Sequence, residues 1–559
     1  MLNNALRFTC TLAVSLLLTG CTALAPAPPY VHVRIVAFND FHGHLQMPGP
    51  MRFPDQDHPG QYLMQQAGGA AHLATAIHAE RNGQRHSVVV AAGDLVSASP
   101  LVSSMFFDEP TIEVLNSLGL EITSVGNHEF DRGREELLRL INGGCRPEGC
   151  VTGSQYAGAR FAYLAANVRD TATGKPFLPP YAIREFEGIP IAFIGLALKG
   201  TPALVSKYGI TGLHFEDEAE TANALIPELR ARGVEAIVVL IHQGASTRGA
   251  YDDPACPGME GEIVDIVKRL DKAVDLVISG HTHQAYLCRV DGRPVTSAGS
   301  YGRFLTEIDL DLDRDNHDVV HAQTNNIRID PQIFPADPKV AAIVNQYARL
   351  AAPRAGRVVA KLSSALSEQA NSTGESELGD VIADAQLAAT RAAGAQIAFM
   401  NQGGIRAPLI PAHGDNSISY GNIFATQPFG NSLVTMTLTG EQIRRLLEQQ
   451  FTKGVNSADQ HPRLIQVSNG FAYAWDATRP TGQRILVDSI RLNGRALASD
   501  ATFRVTVNSF MADGGDSFSV LTEGLEREVG MPDIDALEAY LSANSPLAAI
   551  PYRRIVRAK

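Results

Sequence analysis

Val31-His32-Val33-Arg34-Ile35-Val36-Ala37-Phe38 runs without a break into Asn39-Asp40-Phe41-His42-Gly43-His44. The first part reads as a strand, and the second reads as polar groups carried at its carboxyl end. Four more runs repeat the arrangement. Ser87–Ala92 leads into Gly93-Asp94, and Ile122–Val125 into Gly126-Asn127-His128-Glu129-Phe130-Asp131. Ala236–Ile241 leads into His242-Gln243-Gly244, and Asp275–Ser279 into Gly280-His281-Thr282-His283. Helical spacing of apolar residues over Ala70–Arg81, Thr111–Leu118, Arg134–Ile141, Glu218–Arg232 and Glu262–Leu270 separates the strands. Continuous apolar strands alternating with helices predict a mixed α/β domain whose sheets are largely buried. In such sheets, ligands gather beyond the carboxyl ends of the strands.

Asp40, His42, Asp94, Asn127, His242, His281 and His283 offer carboxylate, imidazole and amide donors. That mixture suits zinc, manganese or a similar transition ion better than calcium or magnesium alone. With one bridging carboxylate, seven side chains supply eight ligand positions, enough for two divalent ions that clamp a phosphoryl oxygen and activate water. A single Gly-Asp is usually a turn, and a single histidine after an apolar run is usually a buried one. Recurrence at five strand ends carries the reading.

These motifs, in this order, resemble the calcineurin-like metallophosphoesterases, and the fuller forms Asn39–His44 and Gly126–Asp131 resemble their 5′-nucleotidase family. The resemblance implies Asp40, His42, Asp94 and His283 around one metal. Asp94, Asn127, His242 and His281 would surround the other, with Asp94 shared. It implies that His128 stabilises developing charge and protonates the leaving alkoxide, oriented by Asp131. Some members carry glutamine where this chain has His283, which bears on metal preference.

Beyond residue 330, a helical pattern over Ile333–Pro353 reads as a connector, followed by a helix over Leu378–Ala393 and a strand over Gln396–Met400. Asn401-Gln402-Gly403-Gly404-Ile405-Arg406 pairs glycines that permit close backbone approach with an arginine able to fork onto phosphate. Phe429 and Phe510 stand in turn-rich stretches with little core to join, so a base stacked on them is a reasonable occupant, worth about 1–3 kcal/mol. Here the chain is similar to the C-terminal domain of 5′-nucleotidases. That implies nucleoside and phosphate binding by Asn401, Gly403, Gly404, Arg406, Phe429, Phe510 and Asp516. One departure is the absence of a second arginine between Asn371 and Gly379, where Glu375 and Glu377 stand instead.

Arg7 and the apolar run Leu12–Leu18, ending in Leu18-Thr19-Gly20-Cys21, resemble a bacterial lipoprotein signal. The expected plan is a signal peptide over 1–20, a tether over 21–30 and a metallophosphoesterase β-sandwich flanked by helices over 31–332. A linker helix and hinge over 333–357 and a C-terminal α/β nucleotide-recognition domain over 358–559 complete it. Attachment to the membrane would rest on lipid at Cys21 alone, on the periplasmic side of a bacterial envelope. The remaining Cys145, Cys150, Cys256 and Cys288 permit two disulfides, Cys145 with Cys150 as the local pairing, or a zinc site of unfamiliar spacing.

A net charge of −12 over 559 residues disfavours a nucleic acid polymer as partner and leaves small nucleotides as substrates. The expected activity is release of phosphate from nucleoside 5′-monophosphates. A 2′,3′-cyclic nucleotide phosphodiesterase or a nucleotide-sugar or dinucleotide pyrophosphatase is the nearest rival. A catalytically silent surface nucleotide-binding protein is the rival of another class.

Overall fold

The computed structural model describes residues 28–54, 62–412, 414–451, 463–548 and 554–559; the expected signal, Cys21 and most of the tether lie outside them. No helix among the described residues is long and apolar enough to cross a membrane.

Two six-stranded sheets form the N-terminal half. The first runs in the order Val319–Arg328, Phe304–Asp313, Tyr30–Phe38, Ser87–Ala92, Ile122–Ser124 and Ala162–Leu164. The second runs Ala285–Val290, Arg293–Ala298, Leu276–Ser279, Ala236–Ile241, Ile189–Leu196 and Tyr181–Phe186. The strands that end in polar clusters pair in parallel within each sheet; the outermost strands are antiparallel, except that Ala162–Leu164 closes the first sheet in parallel.

Strand periodicity explains the layering. Val33, Ile35, Val88, Val90, Val238, Leu240, Leu276 and Ile278 point into a core between the two sheets. Their alternates Val36, Phe38, Val89 and Ala91 face a core shared with helices Ala70–Arg81, Glu109–Leu118 and Pro338–Ala355. Ile237, Val239, Ile241 and Val277 face helices Glu218–Ala231 and Glu262–Arg269. A strand sandwiched on both faces has to be apolar throughout, which is the pattern the sequence displays.

Both disulfides form, Cys145 with Cys150 and Cys256 with Cys288, so these thiols make no zinc site. The connector is a helix, Pro338–Ala355, started by Asp337, whose side chain accepts from Val340 N. Its Val340, Val344, Tyr347 and Ala351 pack into the N-terminal core, and Tyr347 donates to Glu113 at 3.0 Å. By packing, this helix belongs to the N-terminal half.

The C-terminal half centres on a five-stranded sheet, Gln466–Val467, Ile397–Met400, Thr502–Asn508, Ser432–Thr439 and Leu525–Pro532. Helix Glu377–Ala389 packs on it, capped by Ser376. Below that helix, Arg554 pairs with both oxygens of Asp384 at 2.8 Å and lies 3.6 Å from Asp380, while Glu375 accepts from Arg554 N.

Candidate active site

All seven predicted donors converge where the two sheets meet. Asp40, His42, Asp94 and Asn127 come from the first sheet, and His242, His281 and His283 from the second. Five of them, Asp40, His42, Asp94, His281 and His283, hold left-handed backbone with φ between 47° and 71°. Such angles cost on the order of 1–3 kcal/mol per non-glycine residue and turn the chain sharply at the strand end. Gly126 must be glycine: a Cβ there would stand 2.1 Å from Asp94 Oδ1.

The donors form three overlapping groups, Asp40–His42–His283, His42–Asp94–His128 and Asp94–His242–His281. His283 Nε2 lies 3.3 Å from Asp40 Oδ1, His42 Nε2 3.6 Å from Asp94 Oδ2, and His242 Nε2 2.9 Å from Asp94 Oδ2. His42 Nδ1 donates to Ser97 O at 3.0 Å and His242 Nδ1 to Ala92 O at 2.8 Å, which turns each Nε2 lone pair inward. The Nε2 atoms of His42 and His283 face each other at 3.1 Å, and Asn127 Oδ1 is buried without a hydrogen bond. His242 Nε2, despite its closeness to Asp94, is also outside hydrogen-bond geometry. The unsatisfied Asn127 Oδ1 and His242 Nε2, with the inward Nε2 of His42 and the carboxylates of Asp40 and Asp94, make a donor set that fits divalent metal.

The electrostatics agree. Burial opposes charge on Asp94 and on His242, yet their mutual attraction prevails, holding the carboxyl well below its usual range and raising the imidazole. Burial, reinforced by His242, lowers His281 to about 3.

His128 Nδ1 donates to Asp131 Oδ2 at 2.8 Å, and its backbone N donates to Asp94 Oδ1 at 2.9 Å. Burial lowers its imidazole, but Asp131 and Asp94 more than offset this and leave it above the ordinary value.

Arg406 reaches this end from the C-terminal half: its charge acts on His42, His128 and His283, and its Nη2 is buried without a hydrogen-bond partner. Asn401 Nδ2 donates to Asp516 Oδ2 at 2.7 Å, and Asn508 Nδ2 holds Asn401 Oδ1 at 2.9 Å. Asn401, Gln402, Gly403, Arg463, Asp516 and Phe518 line a pocket there. Gly404 instead backs onto Met400, whose Cε would lie 2.5 Å from a Cβ.

One of the two phenylalanines differs from expectation. Phe510 is not in a loop but on the short helix Ser509–Ala512, packed against the C-terminal core and over Gly515. Phe429 crosses to the other half and stacks on His128, ring centres 5.7 Å apart and planes 16° from parallel.

Sequence reasoning missed three contributors. Asn39 Nδ2 donates to Asp40 Oδ2 at 2.7 Å and to Gly299 O. Glu129 accepts from the backbone N of Asp94, Leu95 and Gly126, tying two ligand loops together; burial and then Asp94 push its carboxyl up to about 7. Its position inside the Gly126–Asp131 motif was the available signal. Arg463 had none, because only folding brings it beside Asp516.

Residues 33–285 match the family described as calcineurin-like phosphoesterase, and residues 355–523 match the 5′-nucleotidase C-terminal domain. Endonuclease YhcR of Bacillus subtilis is 32% identical over 94% of this chain, which spans 41% of that protein's length. Cell wall protein Lmo0130 of Listeria monocytogenes is 30% identical, over 95% of this chain and 69% of that protein. The crystal structure of a 5′-nucleotidase precursor from Thermus thermophilus superposes with a TM-score of 0.77 at 27% identity, covering 94% of this chain and 99% of that one. Two family domains in order, on this fold and with these donors, place the chain in the 5′-nucleotidase family of calcineurin-like, metal-dependent phosphoric ester hydrolases.

Proposed function

We propose that this protein releases phosphate from nucleoside 5′-monophosphates at two divalent transition ions, zinc, manganese or similar. The observation that carries the reading is the set of inward-facing, unsatisfied donors around Asp94, approached from the other half by Arg406 beside the Asn401–Asp516 pocket. Asp40, His42, Asp94 and His283 would hold one ion, and Asp94, Asn127, His242 and His281 the other. Bound there, such ions polarise phosphoryl oxygens and activate water.

The chain's own groups do the rest. Arg406 offers its fork to the phosphate. His128, its Nδ1 fixed by Asp131, presents Nε2 to donate a proton to the departing 5′-oxygen. Asp516, oriented by Asn401, accepts from ribose hydroxyls, and Gly403 lets the nucleoside approach the backbone. Phe429 and Phe510 contribute aromatic surface for the base. Arg463 supplies the second cation that the Asn371–Gly379 stretch lacks. An export route with lipid on Cys21 fits this reading, and the two disulfides support an oxidising compartment. The net charge of −12 favours mononucleotides over polymers.

The test is phosphate release by chelated and then metal-reconstituted protein on AMP, UMP, 2′,3′-cyclic AMP, UDP-glucose, NAD and p-nitrophenyl phosphate. Metal-dependent release from AMP or UMP well above p-nitrophenyl phosphate is expected. Turnover of p-nitrophenyl phosphate alone would discard the nucleoside pocket, and no turnover with any metal would discard the enzyme.

A further inference from the structure

The geometry points to Phe429 as a positioning residue for the His128 proton donor, so that this side chain acts on the chemical step itself and not only on recognition of the base. The inference rests on the phosphohydrolase reading above and on four contacts. Asp131 fixes the Nδ1 edge of the imidazole at 2.8 Å. His42 meets the ring edge-on, centres 5.1 Å apart and planes at 72°. Phe429 lies nearly parallel to it at 5.7 Å and 16°. Arg406 in turn sits 5.9 Å over the Phe429 ring, backing the phenyl group from the C-terminal half.

Parallel stacking leaves the edge of a ring free. The imidazole is thus restrained about its Cβ–Cγ axis while Nε2 stays open to a leaving oxygen; the side chain retains 12% of its exposure. Without Phe429, the Asp131 bond still fixes one nitrogen, but the ring plane is free to swing about it. Displacement of a catalytic group by about 1 Å is enough to reduce turnover about 100-fold. The contact also crosses between the halves. The proton donor is then fully oriented only when the turn bearing Phe429 and Arg406 is docked, which couples docking of the recognition half to chemistry.

The experiment separates base stacking from acid positioning by choice of substrate. Ribose 5-phosphate has no base to stack, but its alkoxide needs a proton to leave. p-Nitrophenyl phosphate has no base either, and its nitrophenolate leaves without one. Phe429→Leu, which keeps bulk but not the flat ring, is compared with wild type on AMP and on both of these, with metal content measured in parallel. We expect kcat on ribose 5-phosphate to fall roughly 10- to 100-fold, p-nitrophenyl phosphate to change less than about threefold, metal content to stay constant, and Phe429→Tyr to restore the loss. Unchanged kcat on ribose 5-phosphate with a raised KM for AMP overturns the proposal in favour of a base clamp alone. Equal loss on both base-free substrates, or loss of metal, overturns it as general damage to the site. Wild-type protein inactive on all three refutes the phosphohydrolase reading instead.

Discussion

Two buried charge clusters, one in each half, solve the same problem in different ways. In the C-terminal half Glu375, Asp380 and Asp384 are all within 9% of full burial, and Arg554 closes on them with two 2.8 Å bonds to Asp384. The positive charge is built into the chain. Around Asp94 the carboxylates are as deeply buried, but the chain supplies imidazoles that can give up their protons and leaves Asn127 Oδ1 and His242 Nε2 unsatisfied. The C-terminal cluster, whose Asp380 oxygens also lack hydrogen bonds, has a guanidinium to offset its charge; the cluster around Asp94 gathers imidazole, amide and carboxylate donors of the kind that hold a cation.

Substitution at Asp94 should have the largest effect of any in either cluster. Asp94→Ala removes the carboxylate shared by two of the three donor groups. We expect metal content, read by elemental analysis, and phosphate release to fall at least about 1,000-fold. Retention of both would make the cluster structural, like its C-terminal counterpart. His128→Ala is expected to lower kcat by about 100- to 10,000-fold with the metals retained; an intact kcat with a raised KM would remove His128 from proton transfer. Arg554→Met attacks the other cluster. It should lose roughly 3–5 kcal/mol of stability in urea denaturation, while folded protein keeps its metal.

The smallest effect concerns protonation. Burial, reinforced by Glu375 and Asp384 and opposed by Arg554, pushes the Asp380 carboxyl up to about 9. Its ordinary value is about 4, so the folded state prefers the protonated form. The stability that Asp380 contributes is therefore complete below about pH 4 and drains as pH rises towards 9. Asp380→Asn removes that drain. Its advantage over wild type should widen steadily from pH 5 to pH 8; an equal difference at both would show that Asp380 does not hold a proton.

The donors around Asp94 were legible because each follows directly on an apolar strand. Local order, strand followed by ligand, survives in sequence even though the five strands divide between two sheets. The helices were legible for the same reason, with bounds such as Ala70–Arg81 and Glu218–Ala231 set by apolar spacing. The Cys145–Cys150 pairing was legible from proximity. What was illegible is whatever depends on meetings between distant segments. Arg554 finds Asp384 across 170 residues, Arg463 arrives beside Asp516, and Phe429 lies on His128. Glu129 was visible but unassigned, because its partners are backbone amides that carry no residue-specific signal.

The divided origin of the donors has a mechanical side. Asp40, His42, Asp94 and Asn127 extend one sheet, and His242, His281 and His283 extend the other, so the ions would act as rivets through the seam of the sandwich. Further along, that seam is filled by apolar side chains, whose packing resists separation but has little directional stiffness. Loading metal should therefore slow amide exchange chiefly at the carboxyl ends of the central strands and much less at their amino ends. Chelation would then unfasten the sandwich from one edge, like a book opening away from its spine.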